Sequence, residues 1–326
     1  MKKDAKIIII GGGQIATHLK DRLENQGRLV ALTIANSKNE TPFAEEIATY
    51  RPDIVFLAIS TKDKGEAAKK YIEDCIEARI PIVTCEKGSL AYHADELRPF
   101  MHRIGFSATV GGGTGMLRYL KGFRFDNKKV EINAMPNGTF NFIFDEFRSG
   151  RQRTPEQACQ VARSRGYVEP GAVDALSIMN NELDDVRMKT CVLFNRVLAA
   201  RRVITPDDLG PLKLDREDLR GLFIDEVDYR MVVTFSNYEL GMRQEYCRKK
   251  LVLRDIDGWH ISVSFLQILY PTRLSSMLPK GADNVVSVTV GEEPNSQETY
   301  TLTGPGAGCR PTVSAMLADA DELCRG

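Results

Sequence analysis

The chain has 326 residues, more than one ordinary hydrophobic core accommodates, so two domains are expected. Its 44 basic and 44 acidic residues cancel, which argues against nucleic acid or an anionic membrane surface as a partner and favours a small neutral or zwitterionic ligand. Seven scattered cysteines without a CxxC pair predict reduced thiols rather than a zinc site, and no apolar run reaches the roughly 18 residues of a membrane span, so a cytoplasmic protein is expected.

The first predicted element is a buried strand over 6–10, which ends in a glycine-rich turn and is followed by an amphipathic helix. The pattern GxGxxA in this strand–turn–helix setting is typical of dinucleotide binding. Gly11 permits the tight turn, Gly13 lets the backbone approach a pyrophosphate, and Ala16 lets the helix pack closely on the strand. The N–H groups that begin the helix would face the phosphates. A loop that only needs positive φ would show similar glycines. The predicted dinucleotide contacts of this turn are Gly11, Gly13, Gln14, Ile15 and Ala16.

The end of the second predicted strand, 29–34, favours NADP over NAD. An acidic residue at this place would bind the adenosine ribose of NAD. The chain instead has Asn36, Ser37 and Lys38, which leave room for a 2′-phosphate. NADP is therefore the favoured cofactor, with NAD as the alternative.

Strands and helices alternate up to residue 127, which predicts an α/β domain with a Rossmann-like, doubly wound parallel sheet. Its later strands are predicted over 53–60, 81–85 and 106–110. Ligands of such sheets bind at the carboxyl ends of the strands. We therefore expect Ser60, Thr61 and Lys87 where a nicotinamide meets its substrate. The alternative for Lys87 is a loop lysine in water.

From about residue 128 the pattern changes, which predicts a second, α+β domain over 128–303 for substrate binding and dimerisation. Its sheet is expected to be mostly antiparallel and open, with a hairpin turn at Asp257-Gly258. Its strands are predicted over 130–134, 229–235, 247–253, 259–265, 284–290 and 299–303. Because the exposed face of an open sheet tends to find a partner, often the same sheet of a second subunit, we expect a homodimer. A last helix, 311–323, is expected to return to the first domain, which would comprise 1–127 and 304–326.

A helix near the middle of the chain carries an aspartate and a lysine four residues apart. Asp185 and Lys189 lie on one helical face, while apolar neighbours can bury the other. A lysine beside a carboxylate is well suited to exchanging a proton with a substrate oxygen. The alternative is a solvated pair on an outer face.

Two segments before this helix hold further polar candidates. Thr139 caps or opens a phenylalanine-rich helix, and its hydroxyl can serve that cap alone. Glu169 lies on a turn after a helix that ends at Gly166, where it can bind a substrate ammonium group or cap the next helix.

The order and spacing of these motifs resemble the homoserine dehydrogenase family, in the short form without a regulatory C-terminal extension. The resemblance spans nearly the whole chain. Besides GxGxxA it rests on 83–88 (VTCEKG), 108–113 (ATVGGG), 137–143 (NGTFNFI), 166–170 (GYVEP), 183–189 (LDDVRMK) and 304–308 (GPGAG).

This resemblance implies reversible hydride transfer between NAD(P) and homoserine or aspartate 4-semialdehyde. Lys189 would be the acid/base at the substrate oxygen, Asp185 would hold the substrate, and Lys87 would lie between nicotinamide and substrate. The implied substrate contacts are Glu169, Gly166, Tyr167, Thr139 and Asp174, and Gly306 is an implied cofactor contact. No side-chain metal site is expected, and the backbone of Val110, Gly112 and Thr114 offers the only candidates for a monovalent cation.

The chain departs from the family pattern at three places. Glu86 stands where the family has an asparagine, and Ser107 stands where it has a metal-associated glutamate. Asn180 replaces an acid, unless Asp174 takes its place. These departures leave two alternatives: a dehydrogenase of another small amino or hydroxy acid, and an NAD(P)-binding dimer without chemistry.

Overall fold

The computed structural model describes residues 1, 4–35, 42–125, 128–151, 154–168, 171–198, 201–239, 247–291 and 297–325. It divides into two compact units, Met1–Gly115 with Gly308–Gly326, and Met116–Ala307. The strands are β1 (Lys6–Ile10), β2 (Leu29–Ile34), β3 (Ile54–Leu57), β4 (Ile82–Thr84), β5 (Ile104–Gly105), β6 (Val130–Met135), β7 (Tyr229–Ser236), β8 (Cys247–Ile256), β9 (Trp259–Gln267), β10 (Asp283–Val290) and β11 (Glu298–Pro305).

The helices include several short ones that the sequence pattern did not predict. They are α1 (Gln14–Asn25), α2 (Phe43–Tyr50), α3 (Glu66–Glu77), α4 (Gly88–Tyr92), α5 (Ala94–Leu97), α6 (Met116–Lys121), α7 (Gly138–Arg148), α8 (Pro155–Ser164), α9 (Ala175–Leu193), α10 (Pro206–Leu209), α11 (Arg216–Leu222), α12 (Arg273–Ser276) and α13 (Cys309–Leu323). Short 3-10 helices cover Asp63–Gly65, Arg98–Arg103 and Ser107–Thr109, and a π-helical turn, Phe194–Leu198, follows α9.

The first unit is built on a parallel five-stranded sheet in the order β2-β1-β3-β4-β5. Its strands are continuous apolar runs because both faces of the sheet are covered, and β1 is buried from Ile7 to Ile10. Ala16 and Leu19 of α1 share a core with Val313 and Met316 of α13, so these two helices lie on the same unit. The predicted doubly wound fold is confirmed.

The predicted strand over 106–110 is wrong. The strand at this edge, β5, is only two residues long, and a 3-10 helix begins at Ser107. The backbone N and the Oγ of Ser107 donate to the two carboxylate oxygens of Asp319 on α13, at 2.7 and 2.6 Å. Thr109 turns back on Phe106, whose carbonyl accepts from its N and its Oγ1. These bonds replace the sheet hydrogen bonds that a strand would have needed.

The second unit has a six-stranded antiparallel sheet in the order β11-β10-β6-β7-β9-β8. The predicted hairpin between β8 and β9 is confirmed, since Asp257 and Gly258 have φ values of 53° and 78°. One sheet face is covered by the phenylalanine-rich helix α7, where Phe140 and Phe144 contact Phe265 of β9. Within the described residues, no helix is both long and apolar enough to cross a membrane.

Candidate active site

The glycine turn between β1 and α1 has the geometry that a bound dinucleotide requires. Gly11 has a φ of 139°, and a Cβ there would lie 2.2 Å from the carbonyl oxygen of Ala58 at the end of β3. At Gly13 a Cβ would meet no atom within 4 Å, so the turn is open on that side. Gly13 is the N-cap of α1 and supplies no side-chain hydrogen bond, which leaves the first N–H groups of the helix to a ligand. The residues of this turn therefore fit a pyrophosphate.

The loops that follow β3 and β4 are linked by the buried carboxylate of Glu86. Glu86, only 2% exposed, accepts hydrogen bonds from the backbone N of Gly88 at 2.5 Å and of Ser89 at 2.9 Å. The hydroxyl of Thr61 donates to the same carboxylate. The acid that replaces the family's asparagine thus satisfies the first N–H groups of α4. Lys87 is half-buried directly before this helix.

Glycine is required at position 88 by this packing. A Cβ on Gly88 would lie 2.4 Å from Cγ2 of Thr61 and 2.7 Å from Oε1 of Glu86.

Cys85, which directly precedes Glu86, is not a nucleophile near neutral pH. Burial raises the pKa of its thiol to about 12. The predicted residues Ser60 and Thr61 follow the carboxyl end of β3, which ends at Leu57, and Ser60 is exposed.

The loop after the 3-10 helix Ser107–Thr109 provides the backbone candidates for a monovalent cation. Val110 is fully buried, and the N of Thr114 donates to the carbonyl of Gly111 at 2.8 Å. Gly112 has a φ of 54°. The described residues contain no cluster of three or more His, Cys, Asp or Glu side chains that could bind a metal ion. Cation binding by the loop carbonyls stays a prediction.

In the second unit, Lys189 faces the junction between β6 and α7. Its Nζ lies 2.7 Å from Oδ2 of Asp185 and donates to the carbonyl oxygen of Pro136 at 2.9 Å. The side chains of Lys189 and Asp185 are 12% and 18% exposed. The alternative of a solvated pair on an outer face is therefore wrong.

Asn137, which sequence analysis missed, connects this pair to a second carboxylate. Its Oδ1 accepts from the N of Phe140 at 2.7 Å and caps α7. Its Nδ2 donates to Oε2 of Glu182 at 2.6 Å and to Oδ2 of Asp185 at 3.0 Å. Glu182 was missed as well. The available signals were an asparagine followed by glycine at a helix start, and an acid three residues before Asp185 on the same helix.

Thr139 lies in the first turn of α7 and so opens the helix, but the cap is provided by Asn137. The hydroxyl of Thr139 instead donates to the carbonyl of Tyr167 at 2.9 Å. Gly166, with a φ of 75°, ends α8, and the Tyr167 ring lies 5.0 Å from that of Phe142. The structure thus brings together Thr139, Gly166 and Tyr167. Glu169, like Asn36, Ser37 and Lys38, lies outside the described residues.

The structure also shows the surroundings of three further residues, Asp174, Asn180 and Gly306. Asp174 is the exposed N-cap of α9, and the hydrogen bond from the backbone N of Ser177 holds the pKa of its carboxyl below the usual value. Asn180 pairs with the backbone of Leu214, accepting from its N at 2.8 Å and donating to its O at 3.1 Å. A Cβ on Gly306 would lie 2.2 Å from the side chain of Asn284. Substrate binding by Asp174 and cofactor binding by Gly306 stay predictions.

Comparison with known proteins gives one family. A family model for homoserine dehydrogenase matches residues 116–320. The homoserine dehydrogenase of Lactococcus lactis subsp. lactis is 26% identical over 276 residues, which cover 83% of this chain and 58% of that protein. That of Bacillus subtilis is 25% identical over 295 residues, covering 86% and 61%. The NAD(+)-dependent homoserine dehydrogenase of Pseudomonas canavaninivorans is 26% identical over 275 residues, covering 82% and 69%. The chain therefore spans roughly three fifths of the length of the first two.

Solved structures agree with the fold. A homoserine dehydrogenase from Thiobacillus denitrificans matches with a TM-score of 0.66 at 20% identity, over 99% of this chain and 74% of that one. A hyperthermophilic archaeal homoserine dehydrogenase in complex with NADPH matches with a TM-score of 0.65 at 17% identity, over 99% and 98%.

Proposed function

The chain belongs to the homoserine dehydrogenase family, and from this premise we propose that it interconverts L-homoserine and L-aspartate 4-semialdehyde with a nicotinamide dinucleotide. One observation carries the proposal. The ammonium group of Lys189 is largely shielded from water and is held by Asp185 and by the carbonyl of Pro136. Such a group can exchange a proton with a substrate oxygen at a fixed place.

The dinucleotide, when bound, supplies the site at which a hydride is taken up or released. In the first unit, the N–H groups at the start of α1, on Gln14 and Ile15, bind its pyrophosphate beside Gly13. Ser60, Thr61 and Lys87 follow the strands whose carboxyl ends hold ligands in doubly wound sheets. We assign these three to the nicotinamide end of the ligand.

Lys189 moves the proton. An ammonium group has three N–H bonds. Two are used by Asp185 and the carbonyl of Pro136, and we assign the third to the substrate oxygen. When the alcohol is oxidised, the neutral amine takes the hydroxyl proton as the C–H bond gives up its hydride. When the aldehyde is reduced, the ammonium returns a proton to the carbonyl oxygen.

The substrate amino acid binds at the turn after α8. Support comes from the hydrogen bond that the hydroxyl of Thr139 donates to the carbonyl of Tyr167, which holds Tyr167 against α7. Glu169, two residues beyond Tyr167, supplies the carboxylate for the substrate ammonium group. Asp185 helps to hold the substrate beside the lysine.

The cofactor is proposed to be NADP rather than NAD, since no acid follows β2 at Asn36, Ser37 or Lys38. The relatives include both an NAD(+)-dependent enzyme and an NADPH complex. Measurement of kcat/KM for the two dinucleotides decides the preference.

We also propose a homodimer. Among the described strands of the second unit, β11 and β8 each have a neighbour on one side only, and Tyr300 on β11 is 45% exposed. Such an edge favours pairing with a second copy. Light scattering of the purified protein should give twice the mass of one chain, and the mass of a single chain would reject the dimer.

A second substrate class is favoured by one observation. Asn180 replaces an acid of the family pattern, and its amide is occupied by the backbone of Leu214. Recognition of the amino group would then differ from that of the family, and another small amino or hydroxy acid would be the preferred substrate. A screen of such acids in which homoserine gives the highest kcat/KM would reject this second candidate.

The direct test is turnover by the wild-type protein. Homoserine with NADP or NAD should give the near-ultraviolet absorbance of the reduced nicotinamide, and aspartate 4-semialdehyde should consume it. Absence of turnover in both directions with both dinucleotides would reject the proposed function.

A further inference from the structure

Glu182 is a buried carboxylate one helical turn before Asp185 on α9. It is 8% exposed, and its Oε2 lies 2.6 Å from Nδ2 of Asn137. The same Nδ2 lies 3.0 Å from Oδ2 of Asp185, and this Oδ2 lies 2.7 Å from Nζ of Lys189. The four side chains therefore form a continuous chain of contacts that ends at the proposed acid/base.

The orientation of the Asn137 amide is fixed by its own helix. Because Oδ1 accepts the hydrogen bond from the N of Phe140, the NH2 group must point the other way. Its two N–H bonds then match the two carboxylates, on Glu182 and Asp185. The amide also stands between two like charges, which would otherwise repel each other on neighbouring turns of α9.

A purely structural role would not call for an acid at this position. Burial of a carboxylate is strongly unfavourable unless hydrogen bonds and charges offset it. An apolar side chain at residue 182 would pack in α9 without that cost. The charge-assisted hydrogen bond to Asn137 is short, and such bonds are stronger and more directional than neutral ones.

We infer that Glu182 is a positioning residue, which acts through Asn137 to hold Asp185 against Lys189. This inference rests on the proposed function, because it assigns Glu182 to the proton transfer of that reaction. The hydrogen bond from the N of Phe140 anchors the oxygen end of the Asn137 amide, and Glu182, by accepting one N–H, holds the NH2 end so that its other N–H points at Asp185. Loss of this acceptor leaves the amide held at Oδ1 alone, so the NH2 end can tilt away from Asp185, and Asp185 can then leave Nζ of Lys189.

The test compares Glu182→Met, which removes the acceptor, with Glu182→Gln, which keeps an acceptor oxygen. We expect kcat to fall on the order of 10- to 100-fold in E182M, since misplacement of a catalytic group by about 1 Å has effects of this size. E182Q should stay within about threefold of wild type, because the hydrogen bond to Asn137 is preserved. The KM for the dinucleotide should be unchanged in both, since neither Glu182 nor Asn137 is among the proposed cofactor contacts.

A matched control lies on the same helix. Asp184 has a side chain that is 60% exposed and pairs with Arg187 at 3.4 Å. Asp184→Asn should leave kcat unchanged. A second control is the double variant. Addition of Glu182→Met to Asp185→Asn should not lower kcat further, because Glu182 acts only through Asp185. Wild-type kcat in E182M, a loss in E182Q as large as in E182M, or additive effects with D185N would each overturn the inference.

Failure of the proposed function is recognised separately, since the wild-type protein and D184N would then show no turnover. In that case a crystal structure of E182M decides the inference. It predicts that the Asn137 amide no longer donates to Asp185 and that Asp185 Oδ2 has left Lys189 Nζ. An unchanged Asn137–Asp185–Lys189 arrangement would overturn it.

Discussion

Asp185 and Lys189 face each other across one turn of α9, with Oδ2 and Nζ 2.7 Å apart and with the carbonyl of Pro136 as the second acceptor for the lysine. An exposed pair at this spacing contributes only a few tenths of a kcal/mol. Here both side chains are mostly shielded from water, so the pair is held more firmly than a surface pair. Its rigidity is what a proton donor at a defined place needs.

The two outer glycines of the dinucleotide turn should respond differently to substitution. Gly13→Val should fold normally, because Gly13 has an ordinary φ of −86° and open space for a side chain, but the side chain would occupy the place of the pyrophosphate. Isothermal titration calorimetry with NADPH should therefore show no binding. Gly11→Ala should instead lower the free energy of unfolding by about 1–3 kcal/mol or more, owing to its φ of 139° and the collision with Ala58. A G13V protein with wild-type affinity would contradict the assignment of this turn.

Glu86 should be a stabilising residue of the first unit. Glu86→Gln replaces one acceptor oxygen by an NH2 group, so one of the hydrogen bonds from Gly88, Ser89 or Thr61 is lost. We expect the free energy of unfolding in urea to fall by about 1–2 kcal/mol. The matched control is Glu96→Gln, an exposed acid of the same unit, which should change it by less than about 0.5 kcal/mol. Equal effects of the two variants would show that Glu86 has no special role.

Asn180→Asp restores an acid at the place where the family has one, and it should not improve catalysis. The aspartate could still accept from the N of Leu214 but could not donate to its O, and its charge would face that carbonyl. The free energy of unfolding should fall by about 1–3 kcal/mol, with no gain in kcat for homoserine. A stable N180D protein with a higher kcat would show that Asn180 faces the substrate.

Sequence reasoning succeeded where periodicity alone decides the structure. The buried strands β1 and β3 are continuous apolar runs, and the side-by-side placement of Asp185 and Lys189 follows from helical spacing. It failed where a distant residue decides. Ser107 forms a 3-10 turn because Asp319, 212 residues later, accepts its hydrogen bonds.

Asn137 and Glu182 were missed for the same reason, because the partner that reveals the role of each is distant in the sequence. Asn137 and Glu182 are 45 residues apart, and each looks ordinary in its own segment. Thr139 was predicted to cap or open α7, and it opens the helix, while the asparagine two residues earlier, the stronger cap by type, provides the cap. Only the meeting of α7 and α9 shows that this asparagine also bridges two carboxylates.

The cap of α9 predicts a pH dependence of stability. Hydrogen bonds from Ser177 hold the pKa of Asp174 below its usual value, so the folded state binds its proton less readily than the unfolded state. Its stabilisation is therefore present above the unfolded pKa and is lost as the pH falls through the lower, folded pKa. Asp174→Asn keeps a capping oxygen but does not titrate. The difference in urea midpoint between wild type and D174N should be constant near neutral pH and shrink below about pH 4. A difference that is independent of pH would contradict the role of the charge.

Proton transfer by Lys189 is tested by single-turnover hydride transfer in Lys189→Ala, with NADPH affinity measured on the same sample. The matched control is Lys249→Ala, which removes another lysine of the second unit that pairs with an aspartate, Asp218, at 2.7 Å. We predict that K189A loses hydride transfer by about 100-fold or more while NADPH still binds, and that K249A transfers hydride at the wild-type rate. Hydride transfer by K189A within a few-fold of wild type would show that Lys189 is not the proton donor.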